Sequence, residues 1–343
     1  MPCTCYIIPR KVLIRLSRDK SLSARQRKSF ATTAKFELEW RKARTAQSLV
    51  SQAAHETLLS GGAIAPKPAI TVYNANHGTT VPGLPISNPA KSKDPDAKQV
   101  FSVTTDVATF YQAVFGRNSV DNEGKTLMSS LHYSIAYNNA FWNGGQMVYG
   151  DGDGQIFADF TRGTDVIGHE LTHGVTQYSL GLAYADEPGG LNESISDCFG
   201  SMFRQWRLKQ NVHQADWLIG RDIMGPAAKA KGYTCLRDMA NPAAKHCLSA
   251  QPTRYSQIKP GMDPHDSSGV PNLAFCRAAV ALGGNSWERA GQIWYQALTD
   301  TPPTRTMKMK AFADRTRALA KQNFKKDPAV FAGIDGAWKA VGL

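Results

Sequence analysis

The chain has 343 residues, 42% of them apolar and 20% charged, which is enough for two domains with substantial cores. The balance is that of an ordinary globular protein, and no apolar run approaches the ~20 residues that span a bilayer, so a membrane protein is not expected. The net charge of +12 sits mostly at one end: residues 1–50 hold twelve Lys/Arg against three Asp/Glu, and the other 293 residues carry an excess of only three positive charges.

A basic arm can serve nucleic acid or an anionic membrane surface. No nucleic-acid motif accompanies this one, so neither is expected as a partner. Its opening, MPCTCYIIPRKVLIRLSRDK, does not read as a signal peptide, because Arg10, Lys11, Arg15 and Arg18 break the apolar stretches after a few residues. Residues 1–60 read as a short extended start followed by helices. SGGAIAPKP at 60–68 is a Gly/Pro-rich break and a natural linker.

From Ala69 to about Phe160 the chain changes character. AITVYNAN and QMVYG read as strands, HGTTVPGLP and GDGDGQ as turns. TTDVATFYQAVFG has helical apolar spacing with Asp106 as its N-cap. The second half reads as helices over 164–180, 191–210, 271–283, 285–299, 307–323 and 328–340. There is no internal repeat. Of six cysteines, none forms a CxxC pair, which argues against a cysteine zinc cluster. Cys198 and Cys276 read as buried thiols, and Cys235 and Cys247 could close a loop in an oxidising compartment.

DVIGHELTHGVT, residues 165–176, carries the chemistry. On a helix, His169 and His173 share a face, with Glu170 beside them. Two imidazoles so placed can hold a metal ion next to a carboxylate. A zinc site that keeps a position open for water needs a third protein ligand. Glu193, twenty residues on in GGLNESISD, can supply it. Asp197, one turn later, can accept the outer N–H of a ligand histidine.

The stretch HELTHGVTQYSLGLAYADEPGGLNESISD closely resembles the thermolysin family of zinc metallopeptidases. YNNAFWNGGQMVYGDGDGQIF upstream, and DWLIGRD, LRDMANP and HDSSGVPN downstream, resemble family blocks in the family's order, so the likeness covers roughly 70–343. It implies an α+β, two-lobed fold, with a β-rich N-terminal lobe (63–180, including the HELTH helix), an α-helical C-terminal lobe (181–343) and the zinc site in the cleft between them. It implies one zinc ion on His169, His173 and Glu193, with Glu170 as the base that activates water. Tyr184 and His265 match the groups that stabilise the oxyanion, and Asn139 and Ala140 match the segment that holds the substrate backbone. Arg237 matches an arginine that binds a substrate carbonyl. Phe157, Phe160, Val166, Ile219, Ile223 and Leu236 match the walls of the pocket after the cut, so cleavage before bulky apolar residues is expected.

CYIIPRKVLIRL resembles the short propeptides of protealysin-like members of the family, with Arg10 where their second proline stands. This implies a zymogen in which residues 1–62 are an intramolecular inhibitor, cut within or near LLSGGAIAPK. Cys3 and Cys5 lie where a thiol could reach the zinc. The resemblance also implies a monomer acting on proteins or peptides, exported by a non-standard route and otherwise cytoplasmic. Two departures stand out. Pro260 occupies the place of an acid that would orient His265, leaving Asp263 or Asp266 for that task. Of the acids matching thermolysin's paired calcium site, Asp165 and Asp216 are kept, while Arg204, Leu218 and Arg221 replace the others, so that site is expected to be absent. The rivals are a catalytically silent zinc protein that only binds peptides and a nucleic-acid-binding protein acting through its arm. Retention of Glu170, Tyr184 and His265 argues against the first.

Overall fold

The computed structural model describes residues 5–47, 67–300 and 302–343. The chain begins with a two-residue strand, β1 (Cys5–Tyr6), then helices α1 (Arg10–Arg18) and α2 (Ala24–Gln47). Pro9, in an extended conformation, is the N-cap from which α1 starts, a helix boundary that proline tolerates because it needs no main-chain donor there. α1 turns Val12, Leu13 and Leu16 inward. The expected boundary near residue 62 lies outside the described residues.

A six-stranded sheet follows, in the order β1-β5-β6-β4-β2-β3. It uses β2 (Ile70–Asn74), β3 (Leu84–Pro85), β4 (Leu127–Leu131), β5 (Ala140–Trp142) and β6 (Met147–Tyr149). β2, β4 and β6 run parallel, whereas β1 adds to the β5 edge antiparallel, Cys5 opposite Trp142 and Tyr6 opposite Phe141. The long helix α3 spans Pro95–Phe115. Its N-cap is Asp94, whose side chain accepts from the Asp96 and Ala97 amides, so the sequence reading that placed the cap at Asp106 is corrected. DPDA looks like a loop in composition, yet Asp-Pro is a strong helix start. Asp106 lies in mid-helix and pairs with Arg207 at 2.9 Å.

The rest is helical. α4 (Thr164–Gln177) and α5 (Asp186–Leu208) pack together, followed by α6 (Pro226–Ala230), α7 (Pro264–Ser267), α8 (Gly269–Leu282), α9 (Arg289–Thr299), α10 (Met309–Asn323) and α11 (Pro328–Ala340). A two-stranded ribbon, β7 (Leu218–Ile219) with β8 (Arg237–Asp238), inserts after α5. Two glycines set how closely α4 and α5 approach. A Cβ on Gly200 would stand 2.6 Å from the Asp165 carbonyl, and one on Gly168 would stand 3.1 Å from the Phe203 ring. The Gly200 clash is with main chain between two buried helices, so that position needs glycine, whereas at Gly168 the Phe203 ring would have to give by a few tenths of an ångström.

Candidate metal centre and active site

Glycine-mediated contact between α4 and α5 brings the ligand candidates of two helices together. His169 Nε2 and His173 Nε2 stand 2.9 Å apart, and Glu193 offers one oxygen to each at 3.5 Å. All three side chains are buried. The outer nitrogens are already engaged: His169 Nδ1 with Asp197 Oδ1 at 2.9 Å, His173 Nδ1 with Asn192 Oδ1 at 2.8 Å and with Ser196 Oγ at 3.0 Å. A carboxylate or amide oxygen can only accept, so both Nδ1 atoms donate and both Nε2 atoms present lone pairs. Two lone pairs and a carboxylate converge on one buried point, with Glu193 Oε2 lacking any hydrogen-bond partner. Buried acceptors without a donor are costly. A cation relieves all three, and N₂O ligation with a carboxylate behind one histidine suits zinc.

Around this point lie the other expected residues. Both oxygens of Glu170 are buried without a close hydrogen-bond partner, although the Trp142 amide acts on the carboxylate from nearby. Burial first, and then Glu193, push its carboxyl well above the ordinary range. Tyr184 Oη hydrogen-bonds Glu193 and lies 3.3 Å from His265 Nε2. His265 Nδ1 bonds Asp263 Oδ1 at 2.7 Å. Asp266 instead pairs with Lys11, so Asp263 is the acid that orients this imidazole. Burial pulls the His265 pKa down, but Glu193 and Asp263 outweigh it and carry it up to about 9. Burial likewise opposes ionisation of Asp197, and Arg237 and His169 override it, holding the acid well below the usual range.

The substrate-facing candidates are gathered too, and the leader touches them. The Ile7 amide donates to the Ala140 carbonyl at 3.1 Å. Arg237 Nη1 donates to the Ile7 carbonyl at 3.0 Å. Asn139 accepts from the Ile8 amide at 2.9 Å and donates to the Ile8 carbonyl at 3.1 Å. The Tyr6 carbonyl accepts from His265 Nε2. From α2, Glu37 bonds the same Asn139 amide. Phe157, Phe160, Val166, Ile219, Ile223 and Leu236 are all buried in one apolar cluster with Ile7 and Ile8, and Phe30 of α2 packs edge-on to Phe157. Cys5 is disulfide-bonded, so it offers no thiolate to a metal, and Cys3 lies outside the described residues.

The sequence reading missed Asn192, Ser196 and Asn272. The first two hold His173, and Asn272 donates to Asp197 Oδ2 at 2.8 Å. LNESISD contained a signal for two of them, since Asn192 and Ser196 are four apart and flank Glu193 on the same helix.

Comparison with known proteins agrees with this geometry. The family model for the thermolysin metallopeptidase catalytic domain matches residues 48–177, and that for the thermolysin metallopeptidase alpha-helical domain matches 180–343. An extracellular metalloprotease of Pectobacterium carotovorum subsp. carotovorum is 38% identical over 284 residues, 80% of each chain. Protease PrtS of Photorhabdus sp. (strain Az29) is 37% identical over 286 residues, covering 80% of this chain and 76% of its own. The precursor of protealysin, a metalloproteinase from Serratia proteamaculans, superposes with a TM-score of 0.83 at 34% identity, covering 98% of this chain and 99% of that one. Matched in both lobes and built around the same convergence of two histidines and a glutamate, the chain belongs to the thermolysin family of metallopeptidases and is a metalloendopeptidase in its zymogen form.

Proposed function

We propose that His169, His173 and Glu193 hold one zinc ion, and that the enzyme cuts peptide bonds on the amino side of bulky apolar residues. Zinc, when bound, supplies a Lewis acid that makes a nearby water acidic enough to attack at neutral pH. Glu170 takes the proton of that water and hands it to the departing amide nitrogen. Tyr184 Oη and His265 Nε2 donate to the carbonyl oxygen as it gains charge, a contribution of about 3 kcal/mol per donor. Arg237, Asn139 and Ala140 hold the substrate backbone, and Asp197 keeps His169 in the tautomer that presents Nε2.

The observation that carries this reading is the leader. Tyr6, Ile7 and Ile8 run through the groups assigned to substrate, with the Tyr6 carbonyl on His265 and the Ile7 carbonyl on Arg237. On this reading Ile7 occupies the place of the residue after the cut, and the six-residue apolar wall accounts for a preference for Leu, Ile or Phe there. Residues 1–62 then act as an intramolecular inhibitor, ahead of catalytic lobes at 63–180 and 181–343. A relative named as an extracellular metalloprotease favours action outside the cell on proteins or peptides, and the protein is taken to work as a monomer.

We also propose that no paired calcium site exists beside the zinc helix. Asp216 accepts from Arg204 at 2.9 Å and from Arg221 at 2.7 Å, and Asp165 takes the Gly220 amide. Two guanidinium groups already pair with Asp216 and would repel divalent ions, which need several carboxylate oxygens. The test of the catalytic reading is casein hydrolysis with and without a zinc chelator, for wild type and Glu170→Gln. Chelator-insensitive hydrolysis would overturn it.

A further inference from the structure

Next to β8, a second group of metal-ligating side chains comes together. Cys235, His246 and Cys247 each offer a ligand atom, and these atoms lie within 4.8 Å of one another. Both cysteines are buried, in a small apolar cluster with Ala244 against which Leu218 packs. The backbone fixes them in place: Cys235 and Cys247 face each other across a parallel β-bridge, the Thr234 amide donates to the His246 carbonyl at 3.0 Å, and the Leu248 amide to the Cys235 carbonyl at 2.9 Å. Asp238 closes the arrangement. Its Oδ1 accepts from the Ala240 and Asn241 amides at 2.9 Å each, and its Oδ2 stands 3.1 Å from His246 Nε2.

The two sulfurs stand as separate thiols, within hydrogen-bonding reach of one another and at the spacing two ligands of one ion would keep. Cys235 Sγ and Cys247 Sγ are 3.9 Å apart. A disulfide requires about 2.0 Å. Two thiolates on one tetrahedral zinc, each bonded at about 2.3 Å, stand about 3.8 Å apart. A histidine within reach, its ring oriented by a carboxylate, is the arrangement that metal-binding histidines commonly show. We propose that Cys235, Cys247 and His246 form a second metal site, for zinc or a similarly thiophilic divalent ion, independent of the catalytic centre. Asp238 holds Nε2 and leaves the other ring nitrogen for the ion. Both thiols release their protons to solvent as the ion binds. His246 is partly exposed, with 39% of its side chain accessible, so the fourth position opens to water. The ion would clasp residues 235–247, the segment that presents Leu236 and Arg237 to the cleft.

Cobalt substitution of the full chain, stripped of metal and kept reduced with a phosphine, tests this. The catalytic ligands are nitrogen and oxygen only, and because phosphine also opens the Cys5 disulfide, a sulfur-to-cobalt charge-transfer band in the near-ultraviolet is assigned to the second site by its loss with Cys235 or Cys247. The expected result is two cobalt ions per wild-type chain with that band, one ion and no band for Cys235→Ser or Cys247→Ser, and a band that persists in His169→Ala. If serine at either buried position prevents folding, His246→Ala at the exposed edge reads the same site through at least tenfold weaker cobalt binding. The absence of a band in the wild type, a band that survives loss of either cysteine, or peptide mapping of a Cys235–Cys247 disulfide in the purified protein would overturn the proposal.

Discussion

Arg237 and Asp197 form a wholly buried two-point ion pair, Nε to Oδ2 at 2.8 Å and Nη2 to Oδ1 at 2.6 Å. Asp197 Oδ1 also receives His169 Nδ1. One carboxylate therefore supports a residue that grips the leader and a residue that faces the metal point. In Asp197→Asn the amide cannot serve both, and a buried guanidinium loses its counter-charge. Breaking such a pair costs on the order of 3–5 kcal/mol, and loss of the oriented histidine typically weakens metal binding 10–100-fold. Competition with a zinc chelator and thermal melting should show both losses together. An unchanged zinc affinity would separate Asp197 from the metal site.

Glu170→Gln keeps the size of the side chain and removes the base. Zinc content should stay at one ion in the catalytic site while kcat falls by about 10²–10⁴. Metal analysis and peptide hydrolysis on the same preparation check it, and near-normal turnover would end the assigned role.

Inhibition by the leader should depend on its apolar face. Leu13 is fully buried on α1, and Leu13→Asp would place an unpaired charge there, at a cost of several kcal/mol. The expected outcome is a full-length chain that hydrolyses a small peptide before any processing. Gel analysis of the same sample must show the leader still attached. Wild-type latency in that variant would mean that the docking of α1 does not control the cleft.

His132 bridges Asp151 at 2.8 Å and Asp94 at 3.0 Å. The Asp151 bond is the largest influence, opposed by burial and aided by Asp94, and together they raise the imidazole to about 9 from an ordinary 6.5. A raised pKa means that the folded state binds the proton more tightly, so the stabilisation is complete below about 6.5 and fades as pH climbs through about 9. His132 has a φ of 53°, which asparagine tolerates better than most residues, so His132→Asn is the suitable control. Melting temperature should fall more across that interval for wild type than for the variant, and parallel curves would exclude the linkage.

Calcium should matter little to stability. With Arg204 and Arg221 on Asp216, melting in calcium and in a calcium-selective chelator should coincide. A calcium-dependent rise that disappears in Asp165→Asn would reverse this expectation.

The candidate metal ligands were legible because their spacing is local: two residues one helical turn apart, and a third on the next long helix. The six later helices were legible for the same reason, since apolar periodicity over ten or more residues is a strong signal. Where the reading failed, the determinants were short or distant. The start of α3 was hidden in DPDA, whose composition is that of a loop. β5 is three residues long, and its pairing with Cys5–Tyr6 joins positions more than 130 residues apart, for which no local pattern exists. Whether Asp263 or Asp266 would hold His265 turned on Lys11, a leader residue that draws Asp266 away.

β1 completes the sheet by lending two residues to the open edge of β5. Once that segment leaves, Ala140–Trp142 regains a row of free main-chain donors and acceptors, which any extended chain can satisfy. Entry to the cleft then resembles the addition of a strand. The demand it makes on a substrate is conformational before it is chemical: several consecutive residues must be free of their own secondary structure. A well-packed protein offers few such stretches, and a frayed, nicked or partly unfolded one offers many. The enzyme's first discrimination would thus fall between orderly and disorderly polypeptide, with the apolar wall choosing only among the bonds that disorder has already exposed.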